Sequence, residues 1–203
     1  MRKQGFNFVA GLDEAGRGPL AGPVVAATVI ILDYKKFLRH GSGQVKNIND
    51  SKKLLEKQRE KIYEDLTKDK NIKWGVGIVS EKIIDKINIL QATKLAMQKS
   101  FEKLSPDFLL LDGNFTLQQV QGKNSIVRQK SIIKGDAKVL SIAAASIIAK
   151  VTRDRIMQKL HKKYPQYGFD RHKGYGTAAH FASIEKFGPC KIHRRSFYPV
   201  SKY

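Results

Sequence analysis

The chain has 203 residues, 41% of them hydrophobic, which suffices for one sizeable core, or one core with an extension, and leaves two full domains crowded. Lys and Arg number 38 against 18 Asp and Glu, and the resulting formal net charge of +20 calls for a polyanionic partner to screen it. The single cysteine, Cys190, excludes an internal disulfide framework and any cysteine-based zinc cluster, and fits a reducing, cytoplasmic setting.

Met1-Arg2-Lys3 followed by residues 6–12 loosely imitates a signal peptide, but Asp13 and Glu14 interrupt it, so no export signal is expected. No membrane association is expected either, because the longest apolar stretch, 24–32, is far short of the roughly 20 residues a spanning helix needs. Phe6, Phe8, Ala10 and Leu12 alternate with Asn7, Val9, Gly11 and Asp13, which predicts a strand buried on one face. The wholly apolar run 24–32 predicts a second, joined to the first across a Gly/Pro-rich turn as a hairpin. Leu54, Leu55, Ile62 and Leu66 recur at helical spacing through 52–68, with Asp50 or Ser51 as the cap. A third strand is predicted over 72–79, then one or two helices over 83–104 with a break near Asn88.

Phe108-Leu109-Leu110-Leu111 reads as a central strand covered on both faces, and it ends on Asp112-Gly113-Asn114. A further strand over 126–133 leads through Lys134-Gly135-Asp136 into the longest helix, 140–160. There Ala143, Ala144, Ala145 and Ala149 keep one side slim enough for a close approach to the sheet. A short helix over 177–186 and the basic His193-Arg194-Arg195 close the chain. The division expected is a core over 1–160 and a substrate-binding extension over 161–203.

Asp13 and Asp112 each close an apolar strand, Asp136 stands at the mouth of a helix, and Glu14 adds a fourth carboxylate. A sheet can gather these groups at one edge, as two-metal phosphodiester hydrolysis requires. Alone, Asp112-Gly113-Asn114 is equally a turn and Asp136 equally a helix cap. Strand alternation points Asp13 and Glu14 to opposite faces, so both serve one site only if the glycine turn begins early and re-aims Glu14. The histidines show no zinc-site spacing. His172 and His193 are expected to meet backbone or phosphate, and Asp154 to pair with a basic neighbour.

The chain resembles type 2 ribonucleases H of the bacterial ribonuclease HII family. The resemblance rests on the segment running from Gly11-Leu12-Asp13-Glu14-Ala15-Gly16-Arg17-Gly18-Pro19 to Ala27, and on Asp50-Ser51-Lys52-Lys53-Leu54, Leu111-Asp112-Gly113-Asn114 and Lys134-Gly135-Asp136. It continues through the helix of Ala143 to Asp154, His172-Lys173-Gly174-Tyr175-Gly176-Thr177 and His193-Arg194-Arg195-Ser196-Phe197, all in family order. It implies an RNase H-like α/β fold: a mixed five-stranded sheet flanked by helices, with a C-terminal helical extension. It also implies that Asp13, Glu14, Asp112 and Asp136 are catalytic carboxylates binding Mg²⁺ or Mn²⁺. The implied reaction is endonucleolytic hydrolysis of RNA in RNA/DNA hybrids, and cutting 5′ of single ribonucleotides in duplex DNA, leaving 3′-hydroxyl and 5′-phosphate ends.

In this frame bare Gly16 and Gly18 let the backbone reach a ribose 2′-hydroxyl, Arg17 grips a phosphate, and Tyr175 presses on a deoxyribose. Ser51, Lys52, Lys53 and Lys173 contact the phosphate backbone, adding affinity rather than sequence choice. The link between Asp112 and Asp136 carries an insertion at 118–123 relative to the family. A sliding clamp is kept as a candidate partner, and a monomer is the simplest assembly. Two alternatives stay open: a non-catalytic basic RNA-binding protein, which has no need of four carboxylates at element ends, and another RNase H-like nuclease such as a junction resolvase, which should cut all-DNA substrates.

Overall fold

The computed structural model describes residues 1, 4–40, 48, 54–118, 120 and 127–203. Five strands form one mixed sheet in the order β3-β2-β1-β4-β5: β1 (Val9–Ala15), β2 (Val24–Ile31), β3 (Ile72–Val79), β4 (Phe108–Asp112) and β5 (Arg128–Ile132). β1, β2 and β3 are antiparallel neighbours, whereas β1–β4 and β4–β5 are parallel. The expected hairpin therefore opens the fold, but β1 starts at Val9 rather than residue 6. The preceding backbone is held otherwise, with the Asn7 and Phe8 N–H groups donating to the Asp107 carboxylate, and Phe6 lies edge-on to Phe108 at 4.8 Å.

Helices cover both faces. On one side α3 (Glu81–Phe101) packs Ala92, Ala96 and Met97 against Ala10, Leu12, Ala26 and Leu109. On the other, α5 (Leu140–Lys163) sets Ala143, Ala144, Ile147 and Ile148 against Ala27, Val29 and Ile31, together with Ile62 and Leu66 of α2 (Glu56–Lys68). Bare strand positions bring the backbone of both helices close to the sheet. A Cβ on Gly11 would stand 2.4 Å from the Ile142 amide nitrogen, and one on Gly77 would stand 1.9 Å from the Ala96 carbonyl oxygen. Close packing of helix on sheet is thus written in both partners.

The break expected near Asn88 is present. Asn88 sits at φ 66° and ψ 166° inside α3, and its side chain accepts the Gln91 N–H at 3.1 Å, capping the second half of the helix. α2 begins at Glu56, where Gln58 accepts the Leu55 N–H at 2.9 Å. The expected caps Asp50 and Ser51 lie outside the described residues. A short α1 (Tyr34–His40) and α4 (Gly135–Lys138) were not signalled by periodicity, since each is too brief to show a repeat.

Beyond α5, α6 (Phe169–His172) and α7 (Ala178–Phe187) fold the end of the chain back onto the β1–β2 connection. Tyr167, Phe169 and Ile192 pack with Ala21 and Met157, and Leu20 packs with Ile184 and Val200. The Leu20 N–H donates to the Gly174 carbonyl and the Gly22 N–H to the Ile192 carbonyl, both at 2.8 Å. No helix among the described residues is long and apolar enough to cross a membrane.

Candidate active site

Parallel pairing of β1 with β4 ends at Leu12 and Leu111, so the next residue of each strand, Asp13 and Asp112, emerges at the same sheet edge. Asp136 is brought to them by a tight corner. Lys134 adopts a left-handed φ of 55°, and the Gly135 N–H donates to Asp112 Oδ1 at 2.7 Å. A Cβ at Gly135 would stand 2.7 Å from Ile142 Cδ1 and 3.3 Å from Asp112 Oδ1, so the corner is tight and a side chain there would displace the Ile142 tip. Asp136 opens α4, where its Oδ1 accepts the Ala137 N–H at 3.0 Å. One carboxylate oxygen from each of Asp13, Asp112 and Asp136 lies within 4.8 Å of the other two.

The early turn required for Glu14 does not occur. β1 runs on through Ala15, with Glu14 opposite Ala26 and Ala15 opposite Val25. Asp13 and Glu14 nevertheless line one cleft, because β4 no longer shields that edge of β1. Glu14 stands outside the set of three aspartates. Its Oε1 accepts from Arg17 Nη1 at 3.2 Å, while its Oε2 is buried with no hydrogen-bond partner among the described residues.

Burial is the main force raising the Asp13 pKa well above the ordinary carboxylate value, with the charges of Glu14 and Asp112 adding to it. Hydrogen bonds from the Ser146 hydroxyl and the Glu14 N–H oppose the shift. Glu14 is raised as well, by burial first, with Arg17 opposing. Three convergent carboxylates and an orphaned buried oxygen fit a hard divalent cation of the Mg²⁺ or Mn²⁺ type, whose preferred ligands are oxygens.

The cleft has a volume of about 510 Å³, and its walls include Gly16, Arg17, Gly18, Arg59, Ser146, Lys150 and Tyr175 beside Asp13, Glu14 and Asp112. Sequence reasoning gave no role to Arg59, Ser146 or Lys150. The i, i+4 spacing of Ser146 and Lys150 on one helix, four residues short of Asp154, was the available signal. Lys150 bonds Asp154 at 2.6 Å, so Asp154 pairs with a basic neighbour as expected. Arg17 spans from Glu14 to the Phe115 ring, 5.8 Å from its centroid.

The two glycines of the Gly16-Arg17-Gly18 loop differ in kind. Gly16 has φ +94°, and a Cβ there would stand 2.0 Å from Arg153 Nε. Among the described residues a Cβ at Gly18 would meet only Tyr175 Cε1, at an ordinary 3.7 Å. The protein's own packing demands a bare Gly16 and places no such demand on Gly18.

Tyr175 is half exposed at the cleft, whereas Lys173 is buried at φ 51° and directs its ammonium to the Asp170 carbonyl, 3.9 Å from Glu56. Ser51, Lys52 and Lys53 fall outside the described residues, as do 119 and 121–123 of the insertion. The loop bearing Tyr175 is fixed by a histidine relay. The Cys190 N–H donates to His193 Nδ1, so His193 Nε2–H faces His180 Nε2 at 3.0 Å and His180 Nδ1–H donates to the Tyr175 carbonyl at 2.9 Å. His172 and His193 thus both meet backbone, His172 through the Tyr167 carbonyl.

Comparison with known proteins agrees with this arrangement. The family model described as Ribonuclease HII matches residues 10–200. Ribonuclease HII of Chlamydia trachomatis serovar A is 54% identical over 202 residues, covering 98% of this chain and 86% of the relative. That of Acetivibrio thermocellus is 55% identical over 197 residues, covering 96% and 71%. Among solved structures, the Archaeoglobus fulgidus PCNA:RNase HII complex matches with TM-score 0.77 at 26% identity, over 94% of this chain and 95% of the other. Ribonuclease H2 from Pyrococcus horikoshii OT3 matches with TM-score 0.74 at 31% identity, over 96% and 95%. Bst-RNase HIII in complex with Mn²⁺ shares the fold, with TM-score 0.72 at 18% identity over 96% and 68%. With its mixed five-stranded sheet and carboxylate-lined edge, the chain belongs to the ribonuclease HII family and so to the ribonucleases H.

Proposed function

We propose that the chain hydrolyses the RNA strand of RNA/DNA hybrids and cuts 5′ of single ribonucleotides embedded in duplex DNA, leaving 3′-hydroxyl and 5′-phosphate ends. The observation that carries this is the meeting of three aspartate oxygens within 4.8 Å, two of them from Asp13 and Asp112 on the wall of a cleft that also presents Gly18. Asp13, Asp112 and Asp136 would hold Mg²⁺ or Mn²⁺, with Glu14 Oε2 as the fourth donor. Such an ion, when bound, activates water and neutralises charge on the phosphate.

The chain's own groups prepare the rest. Ser146 and the Glu14 N–H orient Asp13, and the Gly135 N–H orients Asp112. Arg17, Arg59 and Lys150 supply positive charge along the cleft wall for the phosphates on either side of the cut. Bare Gly18 lets backbone approach the ribose 2′-hydroxyl, the group that distinguishes RNA from DNA. The Tyr175 ring packs on the neighbouring sugar, where a missing 2′-hydroxyl permits close contact. Residues 161–203 act as the extension that holds the duplex, Ser51, Lys52 and Lys53 adding phosphate contacts. A sliding clamp, as in the Archaeoglobus fulgidus complex, is the partner class we assign to a monomeric enzyme.

The test is product mapping on a duplex with one ribonucleotide, with and without Mg²⁺, beside an all-DNA four-way junction. Mg²⁺-dependent cutting on the 5′ side of the ribonucleotide alone supports the assignment. Absence of cutting by folded protein, or equal cutting of the junction, refutes it.

A further inference from the structure

Arg153 of α5 and Arg194 near the C-terminus are the two largest fully buried side chains among the described residues, 1% and 0% exposed. Neither meets a carboxylate in an ion pair among the described residues. Arg153 donates through Nε to the Pro23 carbonyl, through Nη1 to Lys173 and through Nη2 to Ala21, at 3.0, 3.0 and 3.1 Å. Arg194 donates through Nε to the Gly22 carbonyl, through Nη1 to Arg17 and through Nη2 to Gly16, at 3.0, 2.9 and 2.6 Å. Burial depresses both guanidinium groups, Arg153 to about 10 and Arg194 to about 9, the charge of Arg153 adding to the shift of Arg194. Two desolvated cations side by side are costly, and what they secure is backbone.

Five of the six acceptors lie in residues 16–23, the connection that walls the cleft, and the sixth precedes Tyr175 by two residues. The peptides here are trans, and in a planar trans peptide the carbonyl and the next residue's N–H point in opposite directions. Arg194 draws the Gly16 and Arg17 carbonyls inward, which turns the Arg17 and Gly18 N–H groups outward. Neither N–H has an acceptor among the described residues. A cation on a carbonyl also polarises the peptide and strengthens its N–H as a donor.

We infer that Arg194 is a positioning residue for ribose recognition. By gripping the Gly16 and Arg17 carbonyls it presents the Arg17 and Gly18 N–H groups as a fixed pair of donors to the 2′-hydroxyl. Arg153 ties the same connection to the Tyr175 loop, setting the spacing between the two sugar contacts. This rests on the reading above that the loop senses ribose.

The experiment compares affinities for matched duplexes carrying one ribonucleotide or none, in Ca²⁺, with absence of cleavage checked on gels. Wild type is set beside Arg194→Lys, whose point charge cannot reproduce the guanidinium fork, and beside a chain with glycolic acid in place of Gly18, which exchanges only the N–H for an ester oxygen. The preference for the ribonucleotide duplex is expected to fall roughly tenfold in each variant, as for one or two lost hydrogen bonds, with all-DNA affinity within about twofold of wild type. If Arg194→Lys does not fold, citrulline at that position, which keeps the arginine shape but loses the charge and exchanges one of the two terminal NH2 donors for a carbonyl oxygen, replaces it. A wild type without preference defeats the ribose-sensing reading itself. A preference retained by the ester chain, or by the folded Arg194 variant when the ester chain has lost it, overturns the proposal while leaving that reading standing.

Discussion

The loop glycines offer a prediction in which one added methyl group separates folding from function. In Gly16→Ala the new Cβ would stand 2.0 Å from Arg153 Nε and 2.4 Å from its Cδ, with backbone held at φ +94°. The left-handed conformation costs roughly 1–2 kcal/mol for an L side chain. Arg153 must then retreat from a buried seat where it holds three carbonyls. Losing two of those charge-assisted bonds adds about 3 kcal/mol or more. A total of at least about 4 kcal/mol corresponds, at 2–4 °C per kcal/mol for a chain of this size, to a fall of about 8–16 °C in melting temperature. Gly18→Ala meets, among the described residues, only Tyr175 Cε1 at 3.7 Å, so melting should stay within about 2 °C of wild type. Its methyl group would instead hold the ribose off the backbone, and a displacement of that kind costs about 10²-fold in kcat/KM on a single-ribonucleotide duplex. Circular-dichroism melts and initial-rate cleavage on the same preparations decide both halves. A Gly16→Ala protein that melts with wild type refutes the packing argument. A Gly18→Ala protein that cleaves normally refutes the role given to the bare position.

Asp13→Asn should lower turnover by several orders of magnitude and abolish any Mg²⁺-induced rise in melting temperature, and near-normal turnover would contradict its assigned role. Because the folded-state pKa of Asp13 is raised, its contribution to stability is present below the ordinary carboxylate range and lost as pH rises through the raised value. The same substitution should therefore raise the melting temperature of the metal-free protein at neutral pH. Tyr175→Ala should impair cleavage at an isolated ribonucleotide more than cleavage of long hybrids, whereas an equal loss on both removes the case for a deoxyribose contact. Burial holds His180 and His193 each at about 4. Their neutral forms thus stabilise the fold above the ordinary histidine value of 6.5, and that contribution is lost as pH falls toward about 4. Ring resonances should report both as neutral at about pH 5, and titration near 6.5 would refute the relay.

What the sequence made legible follows from how local each feature is. Long periodic segments announced themselves: β3 spans 72–79 as predicted, and α5 carries the expected alanine face. Even the Asn88 break showed, because a single residue does the capping. The carboxylates were found because each ends an apolar run, and strands that end together in a parallel pair deliver Asp13 and Asp112 to one edge without long-range information. The condition placed on Glu14 failed for a reason alternation could not reveal: the partner strand stops first, so a side chain of either parity can reach the open edge. Arg153 and Arg194 were hidden for the opposite reason. In a chain with 38 basic residues, nothing in the local pattern separates a buried arginine from a solvated one, since their acceptors are backbone carbonyls, the three of Arg194 lying 172 or more residues away. The division of labour between Gly16 and Gly18 has the same origin. Both read as a flexible turn, yet one is bare because a buried guanidinium fills its side-chain space, and the other has no neighbour among the described residues close enough to explain it. Where the packing of a protein supplies no reason for a missing side chain on a cleft wall, the reason lies in what enters the cleft.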